Sequence, residues 1–157
     1  MASHKIDNTD VKIMETLQLR ARTKRGQLAE EAGLSIPTIS ERLHKLESNG
    51  YITGYNAILN PQRVGLSLTA FISLTAESSS YYTDIIEQAN KYDEILECHA
   101  ITGKGSHLLK VRVTDTIALE RLLSEIQSWP GVKDTRTDVV LSSPKESMRL
   151  PLGHLKK

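Results

Sequence analysis

The chain has 157 residues, carries 20 Lys+Arg against 19 Asp+Glu, and is 39% apolar. That length suits one domain or two small ones. No run nears the ~18 consecutive apolar residues of a membrane helix, and the lone Cys98 excludes an internal disulfide framework or a multi-cysteine zinc site. The net charge of +1 is too balanced to announce nucleic-acid binding, so any such function must be read from where the charges lie. The polar stretch from Met1 to Asp10 offers no secretory apolar region, and a cytoplasmic protein without membrane contact is expected.

From Ile6 to Gly50 apolar residues recur at spacings of three and four. A first helix is predicted to open at Asp7, with Asp10 three positions on as in a capping box and Ile6 with Val11 placed as a hydrophobic staple. Ile13, Met14 and Leu17 continue its buried face. A second helix is predicted over Lys24 to Ala32, with Leu28, Ala29 and Ala32 inward, stopping at Gly33. A third starts at the N-cap Ser35, tolerates Pro37 in its first turn, and ends at Gly50. Ile36, Ile39, Leu43 and Leu46 form its expected apolar stripe. Tyr51 to Leu59 reads as a strand, which makes residues 1–59 a helix-turn-helix, winged-helix-like domain. The Asn60-Pro61 step and Gly65 mark residues 60–65 as a linker.

Residues 66–142 read as strand, helix, strand, strand, helix, strand. The strands are Leu66 to Ala76, Ile95 to Thr102, Leu108 to Val113 and Val132 to Leu141. Tyr82, Ile85, Ile86 and Ala89 mark one helix, and Leu119, Leu122, Leu123 and Ile126 the other. This order is the ferredoxin-like βαββαβ pattern, so the chain as a whole is assigned to the α+β class. Residues 143–157 are expected to be an extended or loosely docked tail.

If the stripe of the third helix faces inward, then Pro37, Thr38, Ser40, Glu41, Arg42, His44 and Lys45 point away from the core. Thr38, Ser40, Arg42 and His44 can bond to base edges or phosphates, whereas Glu41 helps only inside a groove. Arg20, Arg22, Lys24 and Arg25 place four cations around the start of the second helix, where a duplex backbone would pass. Spacing alone leaves two readings open: DNA binding, or an ordinary three-helix cluster with a solvated basic turn.

A resemblance bears on that choice. The stretch Ile6 to Met14 and the stretch Gly33 to Ile52 resemble regulators of the Lrp/AsnC, or feast/famine, family. The likeness continues colinearly through Glu97-Cys98-His99, Leu108-Leu109-Lys110, Pro130-Gly131-Val132, Thr135-Arg136-Thr137 and Leu150-Pro151-Leu152. It implies an N-terminal domain that binds double-stranded DNA and a C-terminal ferredoxin-like domain that senses a ligand. It also implies homodimers, often gathered as octamers of four dimers. The effector position it implies is Gly103, Lys104, Gly105, Ser106 and His107, with Thr135 and Thr137 completing the pocket.

In the resembling family the glycine turn usually carries an acid that can hold an amino group. Here that position is Ser106, and Lys104 adds a positive charge. A serine supplies no counter-charge for an ammonium, while Lys104 and the glycine amides suit a carboxylate or phosphate. An amino-acid effector, another small anionic metabolite, and a plain glycine hairpin all remain open. Ordinary amino acids such as leucine are expected to bind weakly or not at all, and Ser106→Asp to improve their binding if the turn is otherwise competent.

Catalysis is not expected. Cys98 and His99 are adjacent, so on a strand they point to opposite faces and cannot form a nucleophile–base pair. His4, His44, His99, His107 and His154 lack metal-ligand spacing, and no cofactor is implied. Two other classes stay as alternatives to a sequence-specific regulator: a nucleoid-type DNA organiser with little base selection, and a metabolite-binding assembly module.

Overall fold

A computed structural model describes residues 5–156; His4 lies outside them. The chain divides into two compact units, one of Met1–Ile58 with Glu146–Lys157 and the other of Leu59–Lys145.

The first unit holds three helices: α1 (Asn8–Leu19), α2 (Arg25–Ala32) and α3 (Ile36–Ser48). Asp7 caps α1 by accepting the Asp10 amide, and Asp10 returns the bond to the Asp7 amide, so the box read from the sequence is closed on both sides. Gly33 ends α2 in the left-handed conformation (φ 67°) and bonds back to Ala29 and Glu30. Ser35 caps α3 through the Thr38 amide. Val11, Ile13, Leu28, Ile39 and Leu46 are the centre of the core.

Three expectations for this unit need correction. Ile36 does not join the α3 stripe: it is the first helical residue, is half-exposed, and lies near Gly26 of α2. Residues 51–59 form no strand. The amides of Tyr51 and Ile52 instead turn back onto the Leu46 carbonyl, and no described residue of this unit forms a strand to pair with. The final residues are not loosely placed. Leu152 and Leu155 pack on the helical core, the Gln18 amide exchanges two hydrogen bonds with the Leu150 backbone (2.7 and 3.2 Å), and Lys156 pairs with Glu15 at 2.8 Å.

The second unit opens with a short 3-10 turn, Gln62–Val64, closed by Gly65. It then runs β1 (Leu68–Ala76), α4 (Tyr82–Ala89), β2 (Ile95–Ala100), β3 (His107–Val113), α5 (Thr116–Gln127) and β4 (Val132–Val139). The sheet order is β2-β3-β1-β4 and every neighbouring pair is antiparallel, which is the ferredoxin-like arrangement. Ala70, Ile72, Leu74, Leu109, Val111 and Val113 face α4 and α5, which contribute Ile85, Leu119, Leu122 and Ile126. The opposite face carries Phe71, Leu108 and Lys110, and neither α4 nor α5 covers it. On the edge strand Leu96 is an extra residue: Ile95 pairs with Val111 and Glu97 with the next residue, Lys110. Gly131 is required before β4, because it sits at φ 77° and a Cβ there would come within 2.1 Å of the Tyr81 ring.

Candidate nucleic-acid and effector sites

On α3 the residues Pro37, Glu41, His44 and Lys45 are exposed, and Thr38 and Ser40 are half-buried. Lys45 is held by Glu41 one turn away at 2.7 Å, which also draws the Glu41 carboxyl below its usual range. Thr38 shares its hydroxyl with Ser35 at 2.8 Å. The helix thus presents a polar face of small and charged groups, Glu41 among them, beside the apolar stripe of Ile39, Leu43 and Leu46.

Arg42 departs from the expectation that it stands free on that face. Its Nη1 donates to Asp7 and to Asp10, each at 2.8 Å, and Asp10 is fully buried. The side chain is a quarter exposed, because its guanidinium lies on the N-terminus of α1. Neither carboxylate could be assigned this partner from local sequence, since the separations are 35 and 32 residues.

Arg22, Lys24 and Arg25 are exposed at the start of α2. Arg20 is exposed too, but pairs with Glu31 of α2 at 2.9 Å. Tyr55 has no signal in the sequence that marks it for this site. Its hydroxyl donates to Glu47 of α3 at 2.8 Å, so residues after the helix are tied to α3's last turn. Burial and the Glu47 carboxylate push the Tyr55 phenol up to about 12.

The proposed effector turn differs from its sequence reading in two places. Lys104 and Gly103 are exposed. Ser106, however, is buried, and its hydroxyl is committed to the sheet: it donates to the Leu74 carbonyl at 3.1 Å, accepts from the Ala76 amide at 3.0 Å, and lies 3.0 Å from His107 Nδ1. It therefore faces β1 and does not stand open in the turn. Gly105 packs so closely on β1 that a Cβ would lie 3.1 Å from the Leu74 carbonyl. His107 is fully buried beneath the edge of Tyr82, with ring centroids 4.8 Å apart, and burial lowers its pKa.

Leu74 pairs with His107 on one side and Thr135 on the other, so these two residues share one row of the helix-covered face, two strands apart. Thr135 accepts a bond from Gln127 of α5 at 3.0 Å. Thr137 lies one row further, opposite Ile72. The register places His107, Thr135 and Thr137 on one face of the sheet, and the Ser106 amide ties the preceding turn to Leu74 of β1. Elsewhere, His99 pairs with Glu97 at 3.1 Å on the exposed face, while Cys98 is turned toward the core. Among the described residues no three His, Cys, Asp or Glu gather as metal ligands, and no helix is long and apolar enough to cross a membrane.

Known proteins match both units. Residues 6–53 match a winged helix-turn-helix DNA-binding family, and residues 69–150 match the Lrp/AsnC ligand binding domain. The chain is 40% identical over 150 residues to the leucine-responsive regulatory protein of Escherichia coli strain K12, a match that covers 92% of this chain and 90% of that protein. Among solved structures, a transcriptional regulator from Neisseria meningitidis in complex with L-Met superposes with a TM-score of 0.91 at 35% identity, covering 96% of this chain and 99% of that one. The E. coli AsnC structure superposes with a TM-score of 0.86 at 32% identity, covering 93% and 99%.

Proposed function

The chain belongs to the Lrp/AsnC family of DNA-binding transcription regulators, and from that premise we propose how its two units divide the work. The family consists of regulators rather than enzymes. Effector-modulated control of DNA binding is the function of the chain.

In this proposal α3 enters a major groove with Pro37, Thr38, Ser40, Glu41, His44 and Lys45 toward the bases, while Arg20, Arg22, Lys24 and Arg25 hold phosphates. The observation that carries it is the clustering of exposed cations at the start of α2 in the same unit as a polar α3 face. Arg22, Lys24 and Arg25 are the principal phosphate ligands, because Arg20 already has Glu31 as a partner.

The second unit pairs subunits, and the sheet face bearing Phe71, Leu108 and Lys110 is the surface offered to a second copy. A dimer sets two recognition helices about one DNA turn, roughly 34 Å, or a multiple apart. Four such dimers make the octamer, and the regulator works in the cytoplasm. The effector is an amino acid or a related small anion at the turn of Gly103, Lys104 and Gly105. The Neisseria relative bound to L-Met supports the amino acid, while the exposed Lys104 supports a carboxylate-bearing ligand. To act, the ligand must bind one assembly better than another, since equal binding shifts nothing.

Footprinting on the chain's own upstream region tests this reading. Protection confined to a few sites with two-fold spacing is expected; continuous coverage would instead mark a nucleoid-type organiser.

A further inference from the structure

The geometry points to Arg42 as a positioning residue that locks the recognition helix to the cap of α1, so that its contribution to DNA binding is made through the orientation of α3. The inference rests on the reading that α3 is the helix that meets DNA.

The four carboxylate oxygens of Asp7 and Asp10 are all engaged. In the capping box, Asp7 Oδ1 accepts the Asp10 amide at 2.9 Å and Asp10 Oδ2 accepts the Asp7 amide at 3.2 Å. The second oxygen of each carboxylate accepts from the same atom, Arg42 Nη1, at 2.8 Å. A single nitrogen on α3 therefore closes the ring that begins α1. Two carboxylates three residues apart repel, and one of them, Asp10, is wholly removed from water. An ionised carboxylate in that place requires a charged partner. Arg42 supplies it, and the bond has direction as well as charge.

The clasp sits at the middle of α3. Arg42 lies between Ile39 and Leu43, whose side chains already seat α3 on the core. Apolar packing fixes how deep a helix lies but tolerates small slides, whereas charge-assisted bonds at 2.8 Å do not. Tyr55 holds Glu47 in the last turn of the same helix. The recognition helix is thus pinned by polar ties at two places along its length.

The two possible roles of Arg42 predict opposite signs for one substitution. If Arg42 reads DNA and is merely parked on the acids, then removing an acid frees it and removes a negative charge, and affinity rises. If the clasp orients α3, the same change loosens the helix and affinity falls. Asp7→Asn is the variant of choice, because asparagine is as good an N-cap as aspartate and Asp7 is half-exposed, so the fold survives. Asp10→Asn and Arg42→Met are the companions.

Binding is measured by fluorescence anisotropy with the full-length protein and a duplex from its own upstream region, at several salt concentrations. Wild-type binding by itself tests whether the unit meets DNA; the variants relative to wild type test the clasp. The clasp predicts affinity at least threefold weaker for Asp7→Asn and tenfold weaker for Arg42→Met. It also predicts an unchanged slope of log affinity against log salt, because every phosphate keeps its cation. Arg42→Lys keeps the charge on a shorter, more flexible side chain and should recover part of the affinity. Tighter binding by Asp7→Asn, or a slope about 0.9 flatter in Arg42→Met, would overturn the proposal in favour of direct contact. Lower thermal stability in both variants with wild-type affinity would overturn it in favour of a purely stabilising role.

Discussion

The two units are held together by different forces. The sheet unit relies on apolar burial: Ile72, Leu74, Leu109 and Ile126 are fully buried, and its few buried polar groups, such as Ser106 and His107, sit at one end of β3. The helical unit has a smaller apolar core and adds polar ties from distant positions. Arg42 reaches Asp7 and Asp10, Tyr55 reaches Glu47, and Gln18 grips the Leu150 backbone. Apolar burial is the larger and less directional contribution, while hydrogen-bonded charge fixes direction at modest net stability. The contrast suits the proposed division of work, in which one unit pairs subunits and the other presents a helix to DNA.

The contrast can be broken most forcefully in the sheet. Ile72→Ala empties a fully buried site and should cost about 2–5 kcal/mol by denaturant unfolding. A comparable loss in the unfolding of the helical unit would show that the two do not depend on separate cores. Ser106→Asp comes next. The sequence alone expects this change to improve amino-acid binding, but the Ser106 hydroxyl lies 3.1 Å from the Leu74 carbonyl, and a carboxylate there faces another acceptor in a buried place. A destabilisation of ~1–3 kcal/mol or more is expected, with no gain in amino-acid binding by calorimetry. Improved leucine affinity in a stable variant would restore the open-turn reading.

Acid should separate the units by pH. His107 is neutral in the folded sheet unit because burial disfavours its charged form. Its folded pKa is lowered, so the unfolded chain takes up the proton first, and stability present above about pH 6.5 declines as pH falls toward the folded value. Burial pushes the Asp7 carboxyl upward, but the Asp10 amide and the Arg42 guanidinium outweigh it and hold it below its ordinary range. Its contribution is therefore present above about pH 4 and disappears only as pH falls through the lower folded value. Unfolding followed from about pH 7.5 to about pH 3 should show the sheet unit weakening first, and His107→Phe should remove that early slope. An early slope that survives the change would assign it to another group. The smallest effect is expected from Gln18→Ala, which removes two exposed bonds to Leu150 and should cost ~0.5–1.5 kcal/mol. Faster proteolysis of the final residues would report the same loss.

Helices and strands of the sheet unit follow from periodicity and turn residues, and their ends fall within a few residues of expectation. The capping box of Asp7 and Asp10 is local, so four neighbouring residues suffice to read it. The Arg42 clasp is not: its partners lie more than thirty residues away, and nothing in the helical spacing distinguishes an outward arginine from one bent back to the cap. The same holds for Ser106, which looks like a turn residue but is stitched to β1 from 32 residues away. Residues 51–59 alternate enough to suggest a strand, yet a strand needs a neighbour, and this unit provides none among its described residues. The final segment has too little periodicity to reveal that Leu152 and Leu155 belong to the helical core.

The proposed DNA binding by the helical unit is tested most directly at the cations at the start of α2. Affinity for a duplex from the chain's own upstream region should be measured across salt concentrations for wild type and for Arg22→Gln with Arg25→Gln. Weaker binding to specific and non-specific duplexes alike is predicted, with the slope of log affinity against log salt flattened by about 0.9 for each phosphate that no longer has its cation. An unchanged slope, with weakening confined to one sequence, would contradict it.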